Sequence, residues 1–342
     1  MRTLVEPEKR ESKRERFLDI ERCKGAAIFL VVLGHIVARS SLEGHQWYYS
    51  LRVGIYQFHM PFFMYLSGFV FFYAGYGTQS LPGYWKFMQA RFVRLIVPFL
   101  AIAALIIVGK FAAQKFIQVD NLPGRLFESI VAVFWNTGKS PAASVWYVFF
   151  LFIYCLAVPP LMALFRGSMG ALFFLSVVMY IFPRIPYIYL DRISIYFIFF
   201  VTGGLLAKNY QRYFKFIDDY ALFLFLLFAS IIFPLVYFDT RAPWALLVAG
   251  LISIPAIHGL IRTRFLSRNN FILWLGGYSF IIYLLNTIFI GVSKGVMLTM
   301  APWEGSNFFI FTPILLLSGL FGPIILKKYV LVHFPVADNL TS

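Results

Sequence analysis

Three ionisable residues at the start of the first apolar segment, Glu21, Lys24 and His35, carry the strongest chemical signal in the sequence. His35 follows Lys24 by eleven positions, almost three α-helical turns, and Glu21 precedes Lys24 by three, so one helix face should present all three side chains. Such a face would guide an anionic molecule from a cation at the membrane rim to an imidazole about 16 Å deeper. An ionisable group at that depth is usually functional; the alternative is a histidine that packs between helices with one hydrogen bond.

His59 is the second candidate, two residues before Pro61 in the next apolar segment. Because Pro61 has no N–H for the carbonyl of Gln57, we predict a helix kink that opens space for a ligand beside His59. Ser67 and Gly68 follow, and such small residues allow neighbouring helices to approach closely. The alternative is an interfacial histidine beside a kink that serves packing only.

Arg91 and Arg94 precede the third apolar segment with the i, i+3 spacing that places both guanidiniums on one helix face. That geometry fits phosphate groups, although positive residues also anchor the inner ends of membrane spans. Asn286 is a polar residue in the middle of a late apolar segment, where it would either line a site or hold a helix contact. The remaining aromatic and histidine residues near the membrane boundaries are interpreted as interfacial-belt or structural residues: Trp146, Tyr147, Trp244, Trp274, Trp303, His258 and His333.

The elements that position these residues follow from the composition, which is 60% hydrophobic and only 13% charged, with a mean hydropathy of +0.77. In a bilayer the backbone must satisfy its own hydrogen bonds, so we predict an all-α, polytopic integral membrane protein with about ten transmembrane helices. The predicted spans are 25–41, 52–75, 92–111, 144–165, 170–183, 193–207, 220–238, 244–261, 271–299 and 307–326. The shorter apolar segment 126–135 is predicted to be re-entrant or to lie on the membrane surface.

The distribution of positive charge predicts the orientation. With both termini in the cytoplasm, the inner segments carry two thirds of the 30 Lys and Arg residues. The net charge of +15 is therefore explained by topology and by anionic lipid headgroups, because it is spread over inner loops and not gathered in a nucleic-acid-binding domain. We predict an N-in, C-in protein that contacts the lipid bilayer and no nucleic acid.

The predicted domain organisation is simple. Residues 1–20 are expected to form a cytoplasmic basic tail and no cleavable signal peptide, because they have no apolar core. Residues 21–330 are predicted as a single ten-helix transmembrane domain, and 331–342 as a cytoplasmic tail. Cys23 and Cys155 are not placed for a disulfide, and the sequence contains no CxxC, P-loop or HExxH motif. We therefore predict no metal site and no permanently bound cofactor.

These motifs together resemble the membrane-bound acyltransferase family 3, which includes polysaccharide and lipopolysaccharide O-acetyltransferases and nodulation-factor acetylases. The resemblance covers most of the chain, in order: Glu21, Lys24 and His35; FHMPFF at 58–63 with LSGF at 66–69; RFVRL at 91–95 with Pro98; VWY at 145–147; and GGYS at 276–279 with YLL at 283–285. The family's first motif often has Arg where this chain has Lys24, and Asp where it has Glu21. Many relatives carry His where this chain has Asn286, which puts that residue's chemical role in doubt.

The resemblance implies transfer of an acyl group, usually acetyl, from cytoplasmic acyl-CoA to a hydroxyl of a glycan or lipid-linked sugar. Lys24, Arg91 and Arg94 would bind the phosphates of acyl-CoA. His35 would act as general base on the sugar hydroxyl, with His59 as a second catalytic residue, or His35 would carry the acyl group in a ping-pong route. Glu21, Ser67, Tyr283 and Asn286 would line the pocket, and Asn286, Tyr283 or Ser67 would donate to the developing oxyanion.

Two other functions fit the same sequence. A transporter or exporter of a glycan would also use kinked helices and a buried histidine, and weak internal symmetry would favour it, but the sequence shows none. A non-catalytic subunit of a polysaccharide synthase complex is the third hypothesis. The outer loops 39–52, 112–143 and 294–306 are predicted to select the acceptor. The resemblance also implies a bacterial inner-membrane location, and a homo-oligomer is left open.

Overall fold

A computed structural model describes residues 6–36, 45–78, 81–114, 125–135, 140–182, 185 and 187–341, and within them every regular element is helical. The α-helices are α1 (Glu6–His35), α2 (Gln46–Tyr73), α3 (Leu81–Arg91), α4 (Val97–Ala113), α5 (Leu126–Phe134), α6 (Trp146–Leu164), α7 (Met169–Ile181), α8 (Leu190–Lys208), α9 (Tyr210–Asp219), α10 (Ala221–Tyr237), α11 (Pro243–Arg262), α12 (Asn270–Gly277), α13 (Ser279–Met300), α14 (Asn307–Tyr329) and α15 (Pro335–Leu340). A π-helix, Phe92–Ile96, joins α3 to α4. Short 3₁₀ turns make several of the other connections.

Six helical segments are long and apolar enough to cross a bilayer: Gly83–Ala113, Ala143–Leu164, Leu190–Lys208, Pro243–Arg262, Ser279–Met300 and Asn307–His333. The pair α9 and α10, bent by 78°, would make a seventh. The all-α prediction is therefore confirmed for the described residues. The count of ten spans and the N-in, C-in orientation remain predictions.

Each predicted span coincides with a helix or a pair of helices, with three differences. The first ends at His35, and residues 37–41 lie outside the described part of the chain. The span predicted at 271–299 is two helices, α12 and α13, separated at Tyr278. Segment 126–135 contains the nine-residue helix α5, while much of the predicted acceptor loops 39–52 and 112–143 falls outside the described residues.

The chain divides into two compact units. The first contains the chain up to Leu66 together with Asn209–Ser279, and the second contains Ser67–Lys208 together with the chain from Phe280 onward. In the first unit, α1 packs along α12 and α10 packs along α11. In the second unit, α7 packs along α8, and α2 approaches α8 so closely that a Cβ on Gly68 would lie 1.9 Å from the carbonyl oxygen of Phe200. Gly68 therefore serves the close helix approach that its sequence context predicts.

Candidate functional site

The middle of α1 presents the predicted charged pair. The Lys24 ammonium lies 2.7 Å from the Glu21 carboxylate, as expected for residues three apart on one helix face. Both side chains are about one third exposed, at 31% and 32%, so the pair contributes little stability. The pair instead orients Lys24, because the Glu21 carboxylate fixes the direction of the Lys24 ammonium.

Two glycines hold this part of α1 against α12. A Cβ on Gly25 would lie 1.9 Å from the carbonyl oxygen of Ile272, and a Cβ on Gly276 would lie 1.9 Å from that of Glu21. Any side chain at either position would collide with main-chain atoms that cannot rotate away. The first motif and the late GGYS motif are therefore in backbone contact, which explains why a glycine is needed at Gly276.

His35 is the last residue of α1. The carbonyl groups of a helix's final turn have no partner within the helix. Two of them accept hydrogen bonds from α2: the Tyr56 hydroxyl donates to the Gly34 carbonyl at 2.8 Å, and the Tyr48 hydroxyl donates to the Leu33 carbonyl. These two bonds attach the end of α1 to α2, and residues 37–41 of the predicted span lie outside the described residues.

His59 lies within the same unit and is 6% exposed. Its Nδ1 is 2.7 Å from the carbonyl oxygen of Ile55, which can only accept, so Nδ1 must carry the hydrogen. In the neutral ring Nε2 is then unprotonated and able to accept a proton. The Tyr56 ring lies 5.1 Å from the imidazole, and His35 is close enough to interact with it electrostatically. The two predicted catalytic histidines therefore lie within electrostatic range of each other in the first unit.

In the second unit, hydroxyl groups from three helices form a connected network. Ser67 Oγ is hydrogen-bonded to the Tyr147 hydroxyl, and the Tyr147 main-chain N–H donates to the Tyr283 hydroxyl at 3.1 Å. Tyr283 in turn donates to the Ser144 carbonyl at 2.8 Å. The network thus joins Ser67 and Tyr283, two predicted pocket residues, through Tyr147. It also corrects the interfacial-belt interpretation of Tyr147, which is buried.

Asn286 is fully buried in α13. Its Nδ2 donates to the carbonyls of Ile282 at 2.8 Å and Tyr283 at 2.9 Å, one turn earlier in the helix. Both amide hydrogens are therefore engaged with the main chain. Because both bonds lie within α13 itself, a contact with another helix and a pocket role for Asn286 both stay predictions.

The π-helix places the two predicted phosphate-binding arginines. Val97 donates to the carbonyl of Phe92, an i to i+5 bond that widens the turn. Pro98 is the physical cause, because it has no N–H for the Arg94 carbonyl and its ring would clash there in an α-helix. Arg91 lies over the rings of Tyr76 and Phe87, 4.9 and 5.0 Å from their centroids. Arg94 is exposed and Arg91 is partly buried against these rings, and their shared role in phosphate binding stays a prediction.

Sequence reasoning did not find an ion cluster around Arg262. This guanidinium binds Asp218 of α9 through two hydrogen bonds of 2.6 and 2.7 Å and also binds Asp19 of α1. It lies 4.4 Å from the centroid of the Phe214 ring. Burial raises the pKa of the Asp19 carboxyl against the opposing effect of the Arg262 charge. Arg262 therefore ties α1, α9 and α11 together.

We expect Arg262→Ala to lower the free energy of unfolding by about 3 kcal/mol, because it leaves buried Asp19 without its cation. Arg241→Ala is the matched control, since Arg241 pairs with Asp239 but the two side chains are 63% and 44% exposed. Removing that exposed pair should cost less than about 1 kcal/mol. Unfolding titrations of both variants in mild detergent measure the difference, and equal losses would show that the Arg262 cluster contributes nothing special.

His258 forms a second cluster that sequence reasoning did not identify. The imidazole is fully buried, with its Nδ1 2.7 Å from the Tyr65 hydroxyl and 3.3 Å from the Tyr213 hydroxyl. Tyr65 and His258 are 193 positions apart in sequence, so no local spacing could have revealed the pair. His258 lies one helical turn before Arg262 in α11, and its cluster is part of the buried polar interior of the first unit.

The described architecture is that of an integral membrane protein built from apolar helices, and a few of its ionisable groups form buried clusters. A family profile described as "Acyltransferase domain" matches residues 17–328, nearly the whole chain, and the chain belongs to this family.

One curated relative is the nodulation protein NolL of Sinorhizobium fredii (strain NBRC 101917 / NGR234). The two proteins are 31% identical over 125 residues, which are 35% of this chain and 32% of NolL. The chain thus matches about a third of the length of this relative. No solved structure matches the chain.

Proposed function

We propose that this protein transfers an acetyl group from cytoplasmic acyl-CoA to a hydroxyl of a cell-surface polysaccharide or lipid-linked sugar, and that it resides in the bacterial inner membrane. The observation that carries the proposal is the placement of two histidines, His35 and buried His59, in one compact unit of apolar helices in a member of an acyltransferase family. Ionisable side chains within apolar membrane helices are costly to bury and usually have a function, which favours a role for the two imidazoles in proton transfer over a role in packing. Family membership also favours an enzyme over a transporter or a non-catalytic subunit.

In the proposed reaction His35 takes the proton of the sugar hydroxyl as its oxygen attacks the thioester carbonyl carbon. The new C–O bond forms, the C–S bond breaks, and the proton passes from the imidazolium to the CoA thiolate. His59 has an acceptor nitrogen fixed by its bond to Ile55 and is positioned to relay or to stabilise the charge on His35. Proton transfer by a positioned group of this kind typically contributes about 10²–10⁴ in rate.

The remaining candidate residues have separate proposed roles. Lys24, Arg91 and Arg94 would neutralise the phosphates of acyl-CoA. Ser67 Oγ and the Tyr147 hydroxyl are joined by a hydrogen bond, and we assign this pair to the stabilisation of the developing oxyanion. Tyr283 donates to a main-chain carbonyl, which suits it to position Tyr147.

The test supplies radiolabelled acetyl-CoA to inside-out membrane vesicles with and without the protein. Label on a glycan or lipid only in vesicles that contain the protein would support the donor and the direction of transfer. Sealed right-side-out vesicles are the orientation control and should remain unlabelled. If acetyl-CoA and other short acyl-CoAs all fail to label inside-out vesicles that contain folded protein, the proposed reaction is wrong.

Ser67→Ala is expected to lower kcat by about 10², with an unchanged KM for acyl-CoA, because it removes a donor that acts in the transition state. Tyr154→Phe is the matched control, since this tyrosine is in the same helix as Tyr147 and donates only to the Ile193 carbonyl at 2.7 Å. It should change kcat by less than about threefold. Steady-state kinetics of both variants decide the point, and a wild-type kcat in Ser67→Ala would remove Ser67 from the mechanism.

A further inference from the structure

Helices α9 and α10 form a sharp corner. Only Tyr220 separates them, and their axes are bent by 78°. The side chains of Leu222, Phe223 and Leu226 in α10 are more than half exposed, as expected of a helix that faces acyl chains. The apolar residues of this pair lie in α10 and the charged residues in α9, so with α10 across the bilayer the bend places α9 close to the plane of the membrane surface.

The two faces of α9 differ in chemistry. Tyr213, Phe214 and Ile217 are buried, and the rings of Tyr213 and Phe214 lie 5.6 and 5.5 Å from the imidazole of His258. These contacts fix α9 to the first unit. Its opposite face therefore takes no part in packing and is available to a partner.

The exposed face carries the groups that bind an anionic membrane surface. Arg212 and Lys215 are exposed cations. The rings of Phe216 and Tyr220 are 45% and 53% exposed and lie 5.4 Å apart at the corner with α10. Arg212 precedes Phe216 by four residues and shares its side of the helix. A surface helix with basic residues beside exposed aromatics binds headgroups through the cations and the interface through the rings.

The opposite edge of α9 is connected to α1. Asp218 of α9 binds Arg262, and Arg262 also binds Asp19, five residues before the candidate acyl-CoA ligand Lys24. A change in the position of α9 would therefore be transmitted to α1 through two charge-assisted contacts.

We propose that the exposed face of α9 binds the phosphate headgroups of anionic phospholipids and thereby holds α1 in its active position. Headgroup phosphates pair with Arg212 and Lys215, while Phe216 and Tyr220 enter the interface. The exposed carboxylate of Asp219 on the same face opposes this attraction. Lipid binding by α9 is independent of the proposed acyl-transfer reaction. The effect of the lipid on activity rests on that reaction.

Lipid binding is measured on the full-length protein in mixed phosphatidylglycerol and phosphatidylcholine nanodiscs, by native mass spectrometry of the lipids that the released protein retains. Each cation near an anionic surface gives about a fivefold preference, so Arg212→Gln/Lys215→Gln should reduce retained phosphatidylglycerol about thirtyfold relative to phosphatidylcholine. Asp219→Asn should raise retention. The matched comparison, Arg264→Gln/Arg268→Gln, removes two exposed cations from the neighbouring turn and should lose far less phosphatidylglycerol, because these cations lie outside the α9 face.

Equal retention in the Arg212/Lys215 variant and wild type, or an equal loss in the Arg264/Arg268 control, would overturn the lipid site on α9. The second measurement is acyl transfer in nanodiscs with and without phosphatidylglycerol. We expect wild type to be several-fold more active with the anionic lipid, and the double variant to be insensitive to it. Lipid retention without any acyl transfer would refute the proposed reaction alone, whereas activity that ignores lipid composition would refute the coupling to α1.

Discussion

Replacing His35 with alanine is expected to lower the rate of acyl transfer by about 10²–10⁴, because the sugar hydroxyl then loses the base that accepts its proton. The protein itself should still fold. His35 is the terminal residue of α1, and the hydrogen bonds that fix this helix end come from Tyr48 and Tyr56 to main-chain carbonyls. The measurement is initial-rate transfer from labelled acetyl-CoA at equal amounts of folded protein.

The matched control is His333→Ala, which removes an exposed imidazole near the carboxyl terminus. It should leave the rate unchanged. If His35→Ala were as active as this control, His35 would not be the base, and His59 with its fixed acceptor nitrogen would become the first candidate. A stable labelled protein in wild type without acceptor would favour the acyl-histidine route.

Gly276→Ala is expected to cost about 3 kcal/mol of stability, at the upper end of the range for overpacking, and to abolish activity. The new methyl group would lie 1.9 Å from the main-chain oxygen of Glu21, so α12 and α1 must separate. That separation would displace Lys24 and the face that leads to His35. The thermal unfolding midpoint in detergent and the acyl-transfer rate should fall together.

Gly277→Ala provides the control at the next position. Among the described residues, no heavy atom lies within 4 Å of a Cβ placed there. The same substitution should therefore be neutral or slightly stabilising, since alanine favours a helix over glycine by about 1 kcal/mol. Equal unfolding midpoints for the two variants would show that the helices adapt and that the close contact is dispensable.

The helices themselves were predictable, because long apolar runs with little charge have few alternatives to helix. The ends and breaks were less so. The break at Tyr278 follows Gly276 and Gly277, a local signal that the prediction of one continuous span at 271–299 did not use. The attachment of the end of α1 by hydroxyls from Tyr48 and Tyr56 depends on another helix, which the pattern of α1 alone does not contain.

The contacts of the candidate site were likewise only partly predictable from the sequence. Spacing along one helix was enough to predict that Glu21 and Lys24 share a face. The bond from Ser67 to Tyr147 and the cluster of Tyr65 with His258 join residues 80 and 193 positions apart. Only the fold brings such residues together. The roles of the predicted site residues in catalysis remain predictions that the experiments above address.

The π-helix between Arg91 and Val97 has a consequence for chain length. A π turn contains one residue more than an α turn, so it behaves as a built-in single-residue insertion. Deleting Val93 would restore an unbroken α-helical path and rotate all of α4 by about 100° relative to α3. Pro98 would then sit in a helix interior without room for its ring. The length of the segment between Arg91 and Val97 is therefore constrained more tightly than the identity of its residues, because one residue more or fewer would rotate α4 relative to α3.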